Sequence, residues 1–369
     1  MKYSRKMLAG ATSLMFVFAS SSFSATIEER LENLESNLEL AEEANAELRS
    51  DLENRMKVSG YMDVEYVVSD TKDSGFRMHH LSLFFQKKLS DKWRFFSEIE
   101  YEDAPKFEGD ADYSTVVLDD AQGKIFVEAV NLDYLWKPQA IFRVGRFFTP
   151  AGIWSIDHYP PFVPTQERPK HIRKIFPQLI DGGMIHGTLG LGKNYFKYNA
   201  YVANGEKNIG KKDDNSHRAF GLKSSVILAM PGFSHVEAGG TVYSDSRITG
   251  EVYSKNAIGA HAKIVMKDIS FQTEAAYSKY DAESGVTVPG TIKGYYGQLV
   301  YSPSQWSVGA RHDYYNNPDS GEIDRTANSL FVNYRALTNL VLKVEHHLIS
   351  VDGKDDATKT IFSVVSYLE

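Results

Sequence analysis

The chain has 369 residues, a formal net charge of -7 and no cysteine, which excludes a disulfide framework, a thiolate metal site and a cysteine nucleophile. A charged fraction of 24% is too high for a helical membrane protein, and after residue 25 no apolar run approaches the roughly 18 residues that a spanning helix requires. The aromatic fraction of 12%, mostly Tyr and Phe, together with 27 glycines, indicates many β-strands. A soluble two-domain enzyme would instead alternate long helices with strands.

The first residues indicate export. Three basic side chains within the first six residues precede an apolar stretch over 7–18, and serines follow it, which is the order of a secretory signal peptide. Small side chains at Ser22 and Ser24 favour cleavage after Ser24, so we predict a signal peptide over 1–24. A short membrane anchor is the alternative, although this apolar run is too short to span a bilayer.

Residues 26–56 carry ten acidic and three basic side chains and repeat apolar residues every seven positions. One core position of the heptad holds Ile27, Leu34, Ala41 and Leu48. The other core position holds Leu31, Leu38, Asn45 and Leu52. Four heptads without Gly or Pro predict a short coiled coil, in which the polar Asn45 sets the register. Leucine at both core positions leaves the number of helices open, and a single amphipathic helix lying on the rest of the protein is the alternative.

From Lys57 onward the apolar period changes from 3.5 residues to two. Over 93–102, for example, Trp93, Phe95 and Ile99 alternate with charged residues that include Glu98 and Glu100. About sixteen such segments begin near residues 58, 76, 93, 125, 140, 182, 194, 217, 234, 254, 269, 291, 306, 326, 339 and 359. Short turns alternate with long loops between them. The predicted fold is therefore all-β: a 16-stranded antiparallel transmembrane β-barrel over 57–369, preceded by the short α-helical coiled coil.

The chemistry of a bilayer explains this pattern. Each strand's backbone must be hydrogen-bonded within the hydrocarbon, so the sheet must close without an edge. Sixteen strands leave a lumen too wide for side chains to fill, which predicts an aqueous channel. An even strand number puts both ends of the barrel domain on the short-turn, periplasmic side, together with the coiled coil. A soluble periplasmic β-sandwich or β-solenoid is the alternative, but it does not explain the aromatic residues at strand ends.

The longest loop, residues 149–180, is rich in proline and aromatic residues and carries five basic side chains: Arg168, Lys170, His171, Arg173 and Lys174. A loop of this length in a compact fold is usually functional or disordered. We expect it to fold into the lumen and to present a positive rim that favours anions. Alternatively, its basic side chains bind lipopolysaccharide phosphates at the outer rim. Acidic residues that face the lumen, Glu98 and Glu100 among them, could instead produce a cation preference.

The sequence does not predict an enzyme, a cofactor or a metal site. Adjacent residues on a strand point to opposite faces, so neither His79–His80 nor His346–His347 is expected to bind a metal ion. No Ser, Asp or Glu stands in an arrangement that identifies a catalytic group. The negative net charge and the lack of a basic stripe argue against nucleic acid as a partner.

Several short motifs resemble those of a known family. The stretch 142–150 (FRVGRFFTP), the pairs Arg168-Pro169 and Phe176-Pro177, Gly182-Gly183 and the stretch 201–205 (YVANG) resemble the phosphate-selective porin O/P family and related Gram-negative porins. The coiled coil resembles that of the dicarboxylate porins. The resemblance covers 57–369 and is strongest over 140–205.

This resemblance implies a trimeric, 16-stranded outer-membrane channel whose third long loop folds into the lumen. Strand parity then places Arg143 on the lumen face as a pore residue. The chain departs from the pattern at its end, where Tyr367, Leu368 and Glu369 stand in place of a terminal aromatic residue. A stacked basic ladder is not recognisable either, so the resemblance does not extend to phosphate selectivity.

The sequence thus predicts a Gram-negative outer-membrane porin, a water-filled diffusion channel for small hydrophilic solutes, with anions such as phosphate or carboxylates expected. Its expected partners are two further copies in a homotrimer, outer-membrane lipid and lipopolysaccharide, the permeating solutes, and the cell wall through the coiled coil. The alternative is a structural anchor in which the coiled coil spaces the membrane from a periplasmic partner.

Overall fold

The computed structural model describes residue 42 and residues 55–103, 107–109, 116–118, 124–206, 217–246, 253–282, 285 and 287–368. The chain divides into two compact units, Met1–Arg55 and Met56–Glu369. The predicted signal peptide and almost all of the predicted coiled coil, with Asn45, lie outside the described residues. Within the described ranges, no helix is long and apolar enough to cross a membrane.

Sixteen strands of the second unit form one closed antiparallel barrel. They are β1 (Lys57–Ser69), β2 (Gly75–Lys88), β3 (Trp93–Glu102), β6 (Lys124–Lys137), β7 (Ala140–Phe148), β8 (Leu179–Leu191), β9 (Asn194–Ala203), β10 (Ala219–Ile227), β11 (His235–Asp245), β12 (Tyr253–Met266), β13 (Ile269–Ala282), β14 (Ile292–Tyr301), β15 (Trp306–Asn317), β16 (Glu322–Leu337), β17 (Leu340–Ser350) and β18 (Ala357–Leu368). Two short strands, β4 (Phe107–Gly109) and β5 (Val116–Leu118), pair with each other between β3 and β6.

Each barrel strand pairs with the next along the chain, and β18 closes onto β1 with Tyr61 opposite Tyr367. The predicted 16-stranded antiparallel barrel is confirmed, and every strand begins within four residues of its predicted start. The period-two pattern explains this agreement, because it marks each strand independently of the others.

Side chains alternate between the two faces of the wall. Ile258 and Leu330 on the outer face are 58% and 65% exposed, whereas their neighbours Ala257 and Ser329 on the inner face are 2% and 1% exposed. At the rim with the short turns, exposed tryptophans pack on tyrosines of the neighbouring strand, with ring centroids 5.1 Å apart for Trp93–Tyr134 and 4.7 Å for Trp306–Tyr334. An apolar band edged by aromatic rings is the surface that an outer-membrane barrel presents to lipid.

Residues 149–178, between β7 and β8, form the inner loop, which contains the short helix α1 (Ile172–Ile175). Ala151, Ile175 and Phe176 of this loop pack in one buried apolar cluster with wall residues that include Phe147 and Tyr201. A second cluster joins Trp154, Val163 and Ile172 of the loop to Tyr296 of β14. The apolar core of the protein therefore lies between the inner loop and the inner face of the barrel wall.

A β-bulge in β2 changes the direction of one side chain. Asp63 lies opposite His80 and Val64 lies opposite Met78, so His79 is an extra residue without a partner across the strand pair. Because of this insertion His79 and His80 both face inward, and the expectation that they point to opposite faces is wrong. The expectation holds for His346 and His347, whose partners Leu330 and Ser329 are consecutive.

A second bulge lies in β6. Glu98 pairs with Ala129 and Ile99 pairs with Val127, which leaves Glu128 as the inserted residue. Glu128 is 3% exposed and faces the lumen beside the inward carboxylates of β3. Both bulges thus add a titratable side chain to the same sector of the inner wall.

Candidate functional site

Two buried carboxylates of the wall hold the backbone of the inner loop. Glu345 of β17 accepts hydrogen bonds from the backbone N–H groups of Gln166 at 2.9 Å and Glu167 at 3.0 Å. Glu274 of β13 accepts the N–H of Trp154 at 2.9 Å. Both side chains are buried, where a broken hydrogen bond would leave an unsatisfied backbone N–H group, so these carboxylates fix the loop at two separated points.

Basic and amide side chains of the wall hold the proline-rich part of the loop, residues 160–164. Lys343 donates to the carbonyl oxygens of Pro160 and Val163, the latter at 2.7 Å. Asn333 Nδ2 donates to Pro164 O at 2.9 Å and Arg335 to Pro161 O at 3.3 Å. Proline has no N–H group, so this segment offers mainly acceptors, and the wall supplies matching donors.

Side chains of the inner loop also reach carboxylates of the wall. Tyr159 Oη donates to Glu98 Oε2 at 3.2 Å, Gln166 Nε2 to Asp63 Oδ2 at 3.1 Å and Gln178 Nε2 to Glu128 Oε1 at 3.0 Å. These contacts fall on β3, β1 and β6. In the ring of sixteen strands, β13 with Glu274 lies opposite β3, whereas only β18 separates β17 with Glu345 from β1. The loop therefore crosses the lumen and meets both sides of the barrel.

The loop covers an acidic sector of the inner wall, which comprises Asp63, Glu65, Glu98, Glu100 and Glu128. All five are at most 3% exposed. Tyr61 donates to Glu100 at 2.6 Å and Ser82 to Glu98 at 2.8 Å, so both the wall and the loop donate to this sector, whereas Glu128 Oε2 is buried without a hydrogen-bond partner among the described residues. Glu98 and Glu100, which we expected to line the pore, face inward but are covered.

The open part of the lumen lies on the opposite side of the loop. A cavity of about 290 Å³ separates loop residues 153–157 from β9–β12. Its described lining residues include three lysines, Lys197, Lys223 and Lys263, and only two carboxylates, Asp157 and Glu237. A second cavity, of about 220 Å³ beside residues 161–164, is lined by Lys263, Arg335 and Lys343 and has no carboxylate among its described lining residues.

The three lysines descend along the wall in regular steps. Lys223 lies opposite Asn199 on β9, and Lys197, two positions along β9 from Asn199, lies opposite Ser225. One step further along β10, Ile227 lies opposite Glu237 of β11, and Glu237 lies opposite Lys263 of β12. Lys263 is therefore one step below Lys197. Sequence reasoning missed this stepped series. Each lysine is an unremarkable inward residue of its own strand, and only the register between strands places the three in order.

The basic residues of the inner loop do not line either cavity. Lys170 Nζ is 3.1 Å from Glu322 Oε1 of β16, Arg168 is half-buried, and Arg173 and Lys174 are exposed on α1. His171 is 2% exposed, and burial followed by the positive charge of Arg311 lowers its pKa to about 3. His171 is therefore neutral at physiological pH and does not belong to a positive rim.

The surroundings of two other titratable residues of the loop, Glu167 and His158, determine their charge states. Burial alone would raise the pKa of Glu167, but the adjacent Lys359 ammonium outweighs this effect and lowers the pKa to about 2. Complete burial, then the nearby Arg168, lowers the pKa of His158 well below its ordinary value. Glu167 is thus an ionised anchor, whereas His158 is a neutral ring packed on Phe148, with centroids 4.5 Å apart.

Arg143 faces the lumen near the short-turn rim, far along the strand from the inner loop. It donates to both oxygens of Asp133, at 2.6 and 2.9 Å, and Arg94 donates to the same carboxylate at 2.6 Å. Asp133 is 1% exposed, and the side chains of Arg143 and Arg94 are 24% and 47% exposed. The two guanidinium groups around one carboxylate leave an excess positive charge at this rim.

No protein-family model matches the chain. An uncharacterized protein of Aquifex aeolicus (strain VF5) is 31% identical over 156 residues, which is 41% of this chain and 33% of that protein. The matched part thus spans about a third of the relative's length.

Solved structures show a clearer similarity. The loop L8 deletion mutant of OmpT, an outer membrane protein of Vibrio cholerae, has a TM-score of 0.59 at 14% identity, over 85% of this chain and 99% of that one. The trimer form of in-vitro folded OmpT from Vibrio cholerae has a TM-score of 0.56 at 13% identity, with the same coverage. An anion-selective porin from Comamonas acidovorans has a TM-score of 0.58 at 13% identity, also over 85% and 99%. At these identities the similarity is one of fold, and the fold is a porin-like barrel.

Gly152 provides a test of the loop's anchoring. It has a positive φ of 54°, and a Cβ atom there would lie 1.6 Å from Glu274 Oε2. We expect Gly152→Ala to break the bond between Glu274 and Trp154 and to raise amide hydrogen exchange over residues 153–167, measured by mass spectrometry on the folded protein. Gly183→Ala is the control, because its new methyl group would meet no atom nearer than 3.9 Å. Equal protection of the loop in both variants would contradict the anchoring.

Proposed function

We propose that this protein is an outer-membrane porin, a water-filled diffusion channel that favours small hydrophilic anions such as phosphate or carboxylates. The observation that carries this proposal is the asymmetry of the lumen. The inner loop covers the acidic sector, while the remaining open space is bordered by the stepped lysines Lys223, Lys197 and Lys263.

The charge balance of the open space supports an anion preference. The two cavities together have five basic lining residues and two carboxylates. Three of the five, Lys223, Arg335 and Lys343, also donate to carbonyl oxygens of the inner loop, and Lys197 and Lys263 border the open space. One of the carboxylates, Glu237, lies within hydrogen-bond distance of His235, with Oε2 3.1 Å from Nε2. A narrow aqueous passage with low-dielectric walls focuses such an excess, and rings of basic side chains favour anions.

The lysine series also provides a reason for passage rather than tight binding. Lysine is a compact point charge that binds phosphate or carboxylate without the paired geometry of arginine. An anion that leaves one lysine can meet the next along the wall, and conduction needs several weak sites in sequence. The anion-selective porin from Comamonas acidovorans, whose barrel fold this chain shares, agrees with this proposal.

The N-terminal segments belong to the same proposal. Residues 1–24 would direct export and be removed, and residues 26–56 would form a periplasmic coiled coil that contacts the cell wall. The outer face of the barrel would contact outer-membrane lipid, with lipopolysaccharide around the rim of the long loops.

We further propose a homotrimer, in which second copies cover the outer face of β15–β18. This face carries two hydrogen-bonded polar pairs, His312 with Asn328 at 2.8 Å and His346 with Thr360 at 2.9 Å. Polar groups that face hydrocarbon are costly, so a protein neighbour explains them better than lipid does. The trimer form reported for OmpT of Vibrio cholerae supports the same assembly.

Ion selectivity tests the channel directly. We expect the purified protein in a planar bilayer under a KCl gradient to give a zero-current potential of the sign for chloride preference. The double variant Lys197→Gln, Lys263→Gln should move this potential towards zero, because it removes two of the five basic side chains of the passage. Lys174→Gln is the matched control, since Lys174 is exposed on α1 and lines neither cavity.

Two results would contradict the proposal in different ways. A cation preference that the double variant leaves unchanged would overturn the role of the lysines but keep a channel. A correctly folded barrel without conductance would favour the structural anchor instead.

The cysteine-free sequence makes the trimer testable by cross-linking. Leu330, 65% exposed, lies on the proposed interface beside Asn328 and His346. We expect Leu330→Cys in membranes to give a covalent dimer with a short bismaleimide, because each chain then offers one thiol near the threefold contact. Ile258→Cys, on the outer face of β12, is the control and should stay monomeric. The reverse pattern would place the interface elsewhere.

A further inference from the structure

We propose that Asp63, Glu65, His79 and His80 form a binding site for one divalent transition-metal ion, of the zinc type, on the inner wall of the barrel. The site is created by the bulge in β2, which directs both histidines to the lumen face that carries Asp63 and Glu65. It is separate from the lysine passage and does not depend on the protein being a channel.

The donor atoms converge at the spacing that a small ion needs. His80 Nδ1 lies 2.8 Å from Asp63 Oδ1, and His79 Nδ1 lies 3.4 Å from Asp63 Oδ2 and 2.9 Å from Glu65 Oε1. Four donors placed about 2.0–2.2 Å from a tetrahedral zinc ion are about 3.3 Å from one another. Donor atoms of Asp63, His79 and His80 all lie within 4.8 Å of one another, and Glu65 adjoins them through His79, so side-chain adjustments alone would bring the donors around an ion.

The chemistry of the donors selects the class of ion. Two imidazole nitrogens with two carboxylate oxygens suit Zn²⁺, Ni²⁺ or Cu²⁺, whereas Mg²⁺ and Ca²⁺ prefer oxygen donors alone. The two carboxylates also supply the two negative charges that one such ion neutralises. Within the described residues, the other convergent group of three or more potential ligands is Glu98, Glu100 and Glu128, which offers oxygen only.

The surroundings hold these ligands in place. Gln166 of the inner loop donates to Asp63 Oδ2 at 3.1 Å, and an Arg77 guanidinium nitrogen lies 3.8 Å from Glu65 Oε2. The two imidazole rings lie with centroids 3.6 Å apart, and Asp63 is fully buried. Partners that orient ligating carboxylates are a regular feature of metal sites in proteins. The side chain of His79, 15% exposed, leaves a route by which an ion can enter.

Zinc titration of the folded, untagged full-length protein tests the site. We expect calorimetry in detergent with millimolar MgCl2 present, which occupies all-oxygen sites, to show one Zn²⁺ bound per chain. Co²⁺ in place of Zn²⁺ should give the visible absorption of a tetrahedral nitrogen–oxygen site. The double variant His79→Gln, His80→Gln should weaken Zn²⁺ binding by more than about tenfold, since it removes direct ligands.

The adjacent pair on β17 supplies a matched control. His346→Gln, His347→Gln also removes two neighbouring histidines, but their regular pairing places them on opposite faces of the wall, so Zn²⁺ affinity should not change. If the double variant at 79 and 80 does not fold, the single variant His79→Gln at the less buried position gives the same comparison.

Three outcomes would overturn the site. The wild type could fail to bind Zn²⁺ under these conditions, which would leave only a hydrogen-bonded cluster of histidines and carboxylates. The variants at 79 and 80 could bind as tightly as the wild type. Finally, the control at 346 and 347 could lose the binding instead.

Discussion

The structure depends on one requirement: the backbone of the inner loop, enclosed in the barrel, must find hydrogen-bond partners on the wall. Glu345 and Glu274 accept its N–H groups, and Lys343 donates to its carbonyl oxygens. Leaving such buried groups unsatisfied costs about 1–3 kcal/mol each, so the charged residues of the wall and the path of the loop specify each other. A loop without these partners would have to remain in solvent at the rim.

The position of the inner loop determines which charged side chains of the lumen are covered and which border the open space. The loop lies over the acidic sector and bonds to it through Tyr159, Gln166 and Gln178. The open space is then bordered by the strands that carry Lys197, Lys223 and Lys263. A chain with a net charge of -7 can therefore present basic side chains to its open space, because the loop covers the carboxylates of the acidic sector whereas Lys197 is exposed to the cavity. The bulges at His79 and Glu128 enlarge the covered sector and assemble the proposed metal ligands.

The sequence predicted the barrel well because strand identity is a local signal. Alternation of apolar and polar residues, with turn residues between segments, is enough to count sixteen strands. It could not predict the bulges, since an inserted residue shows only in the pairing of two strands. Phe126 illustrates the effect: simple alternation places it with the lipid-facing residues, whereas it pairs with the inward Glu100 beyond the inserted Glu128.

His171 shows a second limit of the sequence. Its loss of charge arises from burial against Tyr296 and from the nearby positive charge of Arg311, and neither neighbour is close to it in the sequence.

The central claim is that water and solutes pass along β9–β12 while the inner loop seals the acidic sector. Because the chain has no cysteine, single thiols can map this path. Asn199 lines the open cavity, whereas Ser82 is fully buried in the acidic sector. The two variants to compare are Asn199→Cys and Ser82→Cys. A charged methanethiosulfonate reagent added during a planar-bilayer recording should reduce the current through Asn199→Cys and leave Ser82→Cys unchanged. Reaction and block at Ser82→Cys, with none at Asn199→Cys, would contradict the account.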